Sequence, residues 1–543
     1  MKDYLREQIA DVLSSLGLEA QLEDIQFEKP KIAEHGDLST NVAMTIARAA
    51  KKNPRQIAQD IFDRLRLDPS RISAVEIAGP GFINFRFSGT HLSVALREII
   101  ARGDRFGASE EHAGKTVNVE WVSANPTGPL HAGHGRQVCI GAMVCSLLEW
   151  TGWTVTREYY FNNAGNQMNN LAISIRERYR VLLGEEVNEE NIHYAGEYIG
   201  TIAQAIFDEH GDAQKDAPLD FFRKQGEVRC FEMIKHTLKT LAVQHDVFYN
   251  EDSLYSEGKI DEVLAELRAS GLAYDKDDAV WLKTTEFGAD KDRVIVKSSG
   301  EPTYRLPDIA YHREKVLRGY DRIIDIFGAD HIATIPDVLA GVRSLNLDTD
   351  HIDVIIHQMV SFVNEGETVK MSKRSGNVYY LDDLINDVGV DAVRYFFIMR
   401  GANSHLEFDI KLAQEQSENN PVYYLQYAHA RIASILRFAE SEGMTHIEEA
   451  DLSLLTHDSE VALIKELLRF PEWVEVSARL YETQHLCTYL HNCATAFHKF
   501  YHDCRVVTED AALSGARLAL CRATKQVLRN GFSIIGIDAP EKM

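Results

Sequence analysis

Hydrophobic positions recur at helical spacing over about 1 to 16, 38 to 50 and 54 to 66, then give way to two apolar runs, SAVEIA and FINFRF, separated by Gly79-Pro80-Gly81. The first pattern predicts amphipathic helices, and two runs about a Gly-Pro-Gly turn predict paired strands. A helical stretch over about 91 to 102 leads into a polar junction between Gly107 and Lys115, so a first, α+β domain is expected over residues 1–112.

From residue 116 the pattern becomes strand, loop, helix, repeated. TVNVEWV is an apolar strand, SANPTGPL a turn-rich loop, and AGHGRQVCIGAMVCSLLEWTG a helix closed by Gly152, followed by the strand TVTREYYF. The alternation resumes with RIIDIFG, a helical stretch over 331–346, and DVIIHQMVSFV. A parallel sheet flanked by helices is the natural reading. Between these halves, about 165–295, lies a helical and charged stretch ending in AVWLK and RVIVK, read as an insertion. After about 405 the chain is almost entirely helical. The expected fold class is α/β: a Rossmann-type parallel-sheet domain over 113–404, preceded by the α+β domain and followed by an all-α bundle over 405–543.

Composition excludes several classes. Of 543 residues, 45% are apolar and 26% charged, an ordinary globular balance without low-complexity tracts. No apolar run reaches membrane-spanning length, and the amino-terminal MKDYLREQIADVLSSLGL carries acids on an amphipathic pattern, so a soluble, cytoplasmic protein that does not enter membranes is expected. Seven scattered cysteines without a Cys-x-x-Cys pair suit reduced thiols. His485, Cys487, His491, Cys493, His498, His502 and Cys504 cluster in sequence, but the expected reading is a helix packing Tyr489, Leu490, Phe497 and Phe500 inward, with no metal site. The net charge of −24, from 58 Lys and Arg against 82 Asp and Glu, argues against long-range attraction to nucleic acid. A local basic groove could still neutralise phosphates.

The segment SANPTGPLHAGHGR, at 123–136, falls between a predicted strand and a helix. In an open parallel sheet a nucleotide is expected there, because strand carboxyl ends meet helix N–H groups. His131 and His134 lie three apart and can share one side of the first helical turn, while Gly133 and Gly135 present no side chain to a ligand. Two histidines and bare backbone could stabilise charge at a phosphate. Alone, H-x-G-H fits a helix cap with two surface histidines equally well. A second motif, VKMSKRSGN at 369–377, concentrates Lys370, Lys373 and Arg374 on a short loop suited to a triphosphate.

The pair of motifs, one after the first strand of a nucleotide-binding sheet and one after its last, resembles the signature of class I aminoacyl-tRNA synthetases. VEWVSANPTGPLHAGHGR, REYYFNNAGNQ, HLEFDIKLAQEQSENNPVYYLQYAHARI and AFHKFYHDCRVV resemble the bacterial arginyl members over nearly the whole chain, and HGDLSTN and AGPGFINF are similar to that family's extra tRNA-binding domain. Ala132 replaces a commoner bulky apolar residue, and Asn163 stands where the family often has Asp, which puts any carboxylate role there in doubt.

The resemblance implies a ligase that joins L-arginine to tRNA(Arg) through an adenylate, using ATP and Mg²⁺, as a monomer. It implies catalytic roles for His131, His134, Lys370 and Lys373, ATP contacts at Gly133, Gly135, Met371 and Ser372, and anticodon binding by the carboxy-terminal bundle with its Tyr423, Tyr424, Tyr427, His429 and Arg431. It also implies that arginine activation requires bound tRNA.

A guanidinium needs fixed acceptors, preferably carboxylates. Glu120 ends a predicted buried strand, where an unpaired carboxylate is expensive, so a cationic partner is expected. Tyr304 and Asp308, four apart in PTYRLPDIAYH, could share a face. By resemblance, Glu120, Asn125, Tyr304 and Asp308 match the arginine-binding positions, with Asp330 and His331 of GADH as neighbours. Alternatively, Glu120 pairs with a buried Arg while Tyr304 and Asp308 cap a helix. Two other functions compete: a nucleotidyltransferase or ligase working without tRNA, and a catalytically silent RNA-binding paralogue.

Overall fold

The computed structural model describes residues 1–18, 21–30, 32–163, 165–186, 189–368, 379–444 and 449–543. In the amino-terminal part, strands β1 (Leu38–Thr40), β2 (Ile72–Ala78) and β3 (Phe82–Phe87) form an antiparallel sheet in the order β1-β3-β2. Helices Lys2–Ser15, Val42–Ala50 and Pro54–Arg64 cover it, burying Leu5, Ile9, Ile57, Ile61, Ile83 and Phe85 in a separate core. The helix expected from about 38 starts later, at Val42. Residues 38–40 are all buried and extend the hairpin, and the Thr40 hydroxyl accepts the Val42 N–H at 3.3 Å where the chain turns into the helix.

The central sheet is parallel. Its strands are β4 (Thr116–Glu120), β5 (Thr154–Phe161), β6 (Val247–Asn250), then, after an antiparallel trio β7 (Ala273–Lys276), β8 (Ala279–Leu282) and β9 (Arg293–Val296), β10 (Arg322–Gly328) and β11 (Ile352–His357). The order is β11-β10-β4-β5-β6. The chain builds outward from β4 in one direction and then returns to build from β10 in the other, so the topological switch lies between β4 and β10. In such sheets the crevice beyond the strand carboxyl ends at that switch is the ligand site.

Three expectations need correction. Val247–Asn250 lies within the stretch read as an insertion but is a strand of the central sheet; four residues among charged neighbours are too short to show a period. DVIIHQMVSFV is two strands, β11 and β12 (Val360–Asn364), and β12 belongs to a small sheet with β13 (Glu367–Thr368) and β14 (Leu406–Asp409). Leu406–Asp409 therefore pairs with Val360–Val363 and not with the helical bundle that follows.

Helices Asn166–Leu182, Glu197–His210 and Leu219–Thr240 pack on one another around Met168, Leu171, Ile202, Ile206 and Phe222. A larger continuous core runs from β4 through helix His134–Trp150 and helix Val390–Ile398 into the carboxy-terminal helices. These are Pro421–Ser441, Asp458–Leu467, Phe470–Leu480, Thr483–Asp503 and Ala511–Ile535. In Thr483–Asp503, Cys487, Tyr489, Leu490, Cys493, Phe497 and Phe500 are buried, as an inward-packing face requires. Among the described residues no helix is long and apolar enough to cross a membrane.

Candidate active site

Strand β4 ends at Glu120 in a tight reversal. The N–H of Ser123 donates to the carbonyl of Trp121 at 3.1 Å, and Val122 between them has φ 73°. A three-residue turn with positive φ is rare, and strained for a β-branched residue. The reversal aims the Ser123 hydroxyl back at Glu120 (2.9 Å to Oε1), where it also accepts the N–H of Tyr160 at 3.2 Å. The following loop is fixed residue by residue. Tyr159 Oη donates to the carbonyl of Ala124 at 2.7 Å, Asn125 Oδ1 accepts the Asn162 N–H at 3.1 Å, Asn125 Nδ2 donates to Gln167 at 3.0 Å, and Tyr198 Oη donates to the carbonyl of Thr127 at 2.7 Å. Asn163, where the family often has Asp, is buried and donates to Glu227 at 2.8 Å.

His131 and His134 come together at the start of helix His134–Trp150, their rings stacked with centroids 3.5 Å apart. The strip Leu130–Ala132 forms a short antiparallel pairing with Tyr379–Leu381: the Ala132 N–H donates to Tyr379 at 2.8 Å and the Leu381 N–H to Leu130 at 2.8 Å. The segment that follows the second motif is thus hydrogen-bonded to the first. Lys370, Met371, Ser372 and Lys373 themselves lie outside the described residues. A Cβ on Gly133 would come 3.1 Å from His131 Nδ1, so the bare backbone leaves room for that ring. At Gly135 a Cβ would meet Phe397 at 2.5 Å and Leu381 at 2.9 Å, so close packing of the helix by itself requires glycine there.

Behind these loops, register places Glu158, Glu120 and Asp325 side by side on β5, β4 and β10, so three buried carboxylates share one face. Helix Arg305–Leu317 covers them and supplies the partners. Lys315 Nζ, fully buried, donates to Glu120 and, at 2.5 Å, to Asp325. Arg318 grips Glu158 with two bonds of 2.6 and 2.9 Å, joined by Tyr311 at 2.8 Å and Asn118 at 2.7 Å. His312 Nδ1 lies 2.8 Å from the carbonyl of Asp308 and its Nε2 3.1 Å from Asp325. Both neighbours are acceptors, so both ring nitrogens donate and the imidazole carries its extra proton. Burial opposes that charge, but the Asp325 carboxylate raises the His312 pKa above the ordinary value. Burial likewise pushes the Asp325 carboxyl up, yet Lys315 and His312 hold it well below the usual range. The cationic partner expected for Glu120 is a lysine, from a helix that strand patterning does not reveal.

One carboxylate on the same helix is left out of this balance. Asp308 is half-buried and, among the described residues, no hydrogen bond to its carboxylate is found. Burial pushes its pKa up to about 7; Glu251 and Glu120 add to the rise, while His312 and Lys315 oppose it. Glu251, directly after β6, is also raised by burial and accepts a 2.7 Å bond from Tyr160 Oη. Two under-compensated carboxylates beside Tyr160 at the carboxyl edge form a place for a cation. Tyr160, His312 and Lys315 carry no sequence signal of their own, and the only signal for Glu251 is an acid directly after VFYN. Tyr304 is 57% exposed at the start of the helix, with Arg305 over its ring at 4.9 Å. Asp330 and His331 are exposed after β10, 3.6 Å apart.

In the carboxy-terminal bundle, aromatic rings form a ladder between two helices. Tyr423 stacks on Tyr427 (6.1 Å, 11°), Tyr424 on His491 (5.0 Å, 27°) and Tyr427 on His498 (6.1 Å, 24°), with Arg431 over Tyr427 at 5.1 Å. His429 is buried instead, its Nδ1 2.9 Å from the carbonyl of Pro540.

Known families match all three regions: the arginyl tRNA synthetase N terminal domain over residues 3–87, the catalytic domain of tRNA synthetases class I (R) over 95–399, and the DALR anticodon binding domain over 425–543. The arginine–tRNA ligase of Salinibacter ruber is 49% identical over 562 residues, and that of Chlorobium phaeobacteroides 47% over 554, each alignment spanning 100% of both chains. The structure of Thermus thermophilus arginyl-tRNA synthetase superposes with a TM-score of 0.77 over 100% of both chains at 21% identity, a likeness of fold. Similarity running through the catalytic and anticodon-binding regions alike favours neither a ligase working without tRNA nor a silent RNA-binding protein. With a parallel sheet switching at β4, a histidine pair on its first loop and a match to the class I (R) catalytic domain over more than half its length, this chain belongs to the arginyl-tRNA synthetase family.

Proposed function

We propose that this protein joins L-arginine to tRNA(Arg) at the expense of ATP, through an arginyl adenylate, with AMP and pyrophosphate released. The observation that carries the choice of amino acid is the pair Asp308 and Glu251 beside Tyr160: burial raises both carboxyls and Glu251 adds to the rise of Asp308, while Glu120, Asp325 and Glu158 on the sheet are held by Lys315, His312 and Arg318. A guanidinium supplies the charge that this pocket lacks and the planar fork of donors that two carboxylates accept. Glu120, Asn125 and Tyr304 complete the reading: Asn125 and Glu120 fix the loop after β4 on which the α-amino and carboxylate ends would rest, and Tyr304 stands exposed at the helix start to close over the substrate.

The chemistry is positioning and charge stabilisation. The substrate carboxylate attacks the α-phosphorus in line, pyrophosphate leaves, and the terminal ribose hydroxyl of tRNA then displaces AMP. His131 and His134 donate to phosphate oxygens, with Gly133 giving the nucleotide access to the backbone; Lys370 and Lys373 hold pyrophosphate, and Met371 and Ser372 complete the ATP contacts. Mg²⁺ would arrive with the triphosphate and shield its oxygens; among the described residues no three His, Cys, Asp or Glu side chains are arranged to hold an ion of their own.

The work divides into tRNA binding by residues 1–112, catalysis by the region from 113 through Leu406–Asp409, and anticodon binding by the helical bundle that follows, where the Tyr423, Tyr424 and Tyr427 ladder offers stacking surfaces to unpaired bases. The protein acts in this reading as a cytoplasmic monomer. Charging of total tRNA with each labelled amino acid tests it: arginine alone is expected to be incorporated, and ATP–pyrophosphate exchange with arginine should appear only when tRNA is present. Incorporation of another amino acid, or robust exchange without RNA, removes the corresponding part.

A further inference from the structure

We propose that Lys315 is a positioning residue for arginine recognition: its buried ammonium, wedged between Glu120 and Asp325, neutralises the sheet's carboxylate row so that Asp308 remains available as an anion for the substrate. The inference rests on the reading of Asp308 as part of the arginine pocket.

Glu158, Glu120 and Asp325 carry three negative charges on one face of the sheet, and Lys315 and protonated His312 of one helix, with Arg318 at its end, bring three positive charges. The set is closed on itself. Lys315 spans two strands, which suits a compact ammonium with three donors better than a planar guanidinium. It is fully buried, so its influence on substrate passes through other groups.

The groups that act on Asp308 come from every element packed around it: His312 and Lys315 from its own helix, Glu120 from β4, and Glu251 from the turn after β6. Tyr160 of β5 and Tyr255 lie close enough to feel its charge in turn. Without the Lys315 charge, three sheet carboxylates face two cations and the surplus falls on Asp308, whose carboxyl already stands at about 7. Its proton would be held more tightly, and a protonated Asp308 cannot pair with a guanidinium.

The test is the KM for arginine in tRNA charging, measured across about pH 6 to 9. In the unmodified protein KM should fall as pH rises through about 7 and then level off. Lys315→Met should move that midpoint up by about one pH unit, the effect of one charge two helical turns away at an effective dielectric of about 20. At pH 7 this is roughly a fivefold higher arginine KM, with the KM for ATP unchanged. Glu120→Gln alone should move the midpoint down, since Glu120 is a negative charge that raises Asp308 while Lys315 keeps Asp325 as its partner, and Lys315→Met with Glu120→Gln should return it near the starting value. The opposite shift of Glu120→Gln keeps the proposal testable even if Lys315→Met does not fold. A midpoint that stays in place in these variants overturns the role of Lys315, and so does an equal rise of the KM for ATP. Asp308→Asn serves as the control: if it keeps both activity and the pH step, the pocket reading itself falls; if it loses them while the other variants shift nothing, only the present inference falls.

Discussion

The backbone N–H of His131 points at Nδ1 of His134, 3.2 Å away, so the His134 ring accepts at that nitrogen and a neutral ring carries its hydrogen on Nε2. The first motif therefore orients its own second histidine as a donor. Because such a donor strengthens its bond as charge grows at the α-phosphate, His134→Ala should lower the rate of adenylate formation about 10²- to 10³-fold, with the arginine KM and the melting temperature nearly unchanged. Single-turnover kinetics with tRNA present measure this; an unchanged rate would remove the motif from the mechanism.

The reversal at Val122 stores strain where β4 meets the substrate loop. Val122→Gly should recover about 1–3 kcal/mol of backbone strain while losing about 1.5–3 kcal/mol of apolar burial, so stability should change little. Activity should not be spared, because the turn sets where Ser123, Glu120 and Asn125 stand. A fall in kcat of tenfold or more at near-constant melting temperature is expected, using about 1.4 kcal/mol per decade. Full activity in this variant would show that the turn's strain has no part in holding the site.

Asp308 also predicts a pH dependence of stability. Its folded carboxyl stands at about 7, above the roughly 3.9 of an unfolded chain. Between those values the unfolded chain has released the proton that the folded chain still holds, so stability falls as pH rises through the window, and the full cost is present above 7. Asp308→Asn removes that cost. Its melting temperature relative to the unmodified protein should be close at pH 4 and higher by a few degrees at pH 8. A difference that does not grow with pH would mean that the carboxyl titrates normally.

Patterning along the chain revealed the large elements because their periods are long: the helix after the first motif, the strands β4, β5 and β10, and the terminal bundle are each read directly from apolar spacing. Short pieces are not legible there, for a common reason. Leu38–Thr40, Val247–Asn250 and Leu406–Asp409 are three or four residues long and owe their conformation to the strand beside them. The site shows the same division. His131 and His134 announce themselves by local spacing, and Asp308 by its place in a motif. Lys315 and Glu120 are 195 positions apart, and nothing in either neighbourhood states that one neutralises the other. Glu251 gains its role from burial beside Asp308, a property of the fold and not of its own segment.

The most direct test of the arginine pocket is steady-state charging by Asp308→Asn across a wide range of arginine concentrations. The change is nearly isosteric, so the fold and ATP binding should survive. Leaving a buried cation short of one carboxylate costs about 2–5 kcal/mol, or roughly thirty- to several-thousand-fold in affinity. The account predicts a loss of kcat/KM for arginine of that size, carried mainly by KM, with no gain of lysine as a substrate. An unchanged kcat/KM for arginine would contradict it and return Asp308 to the role of a residue that merely begins a helix.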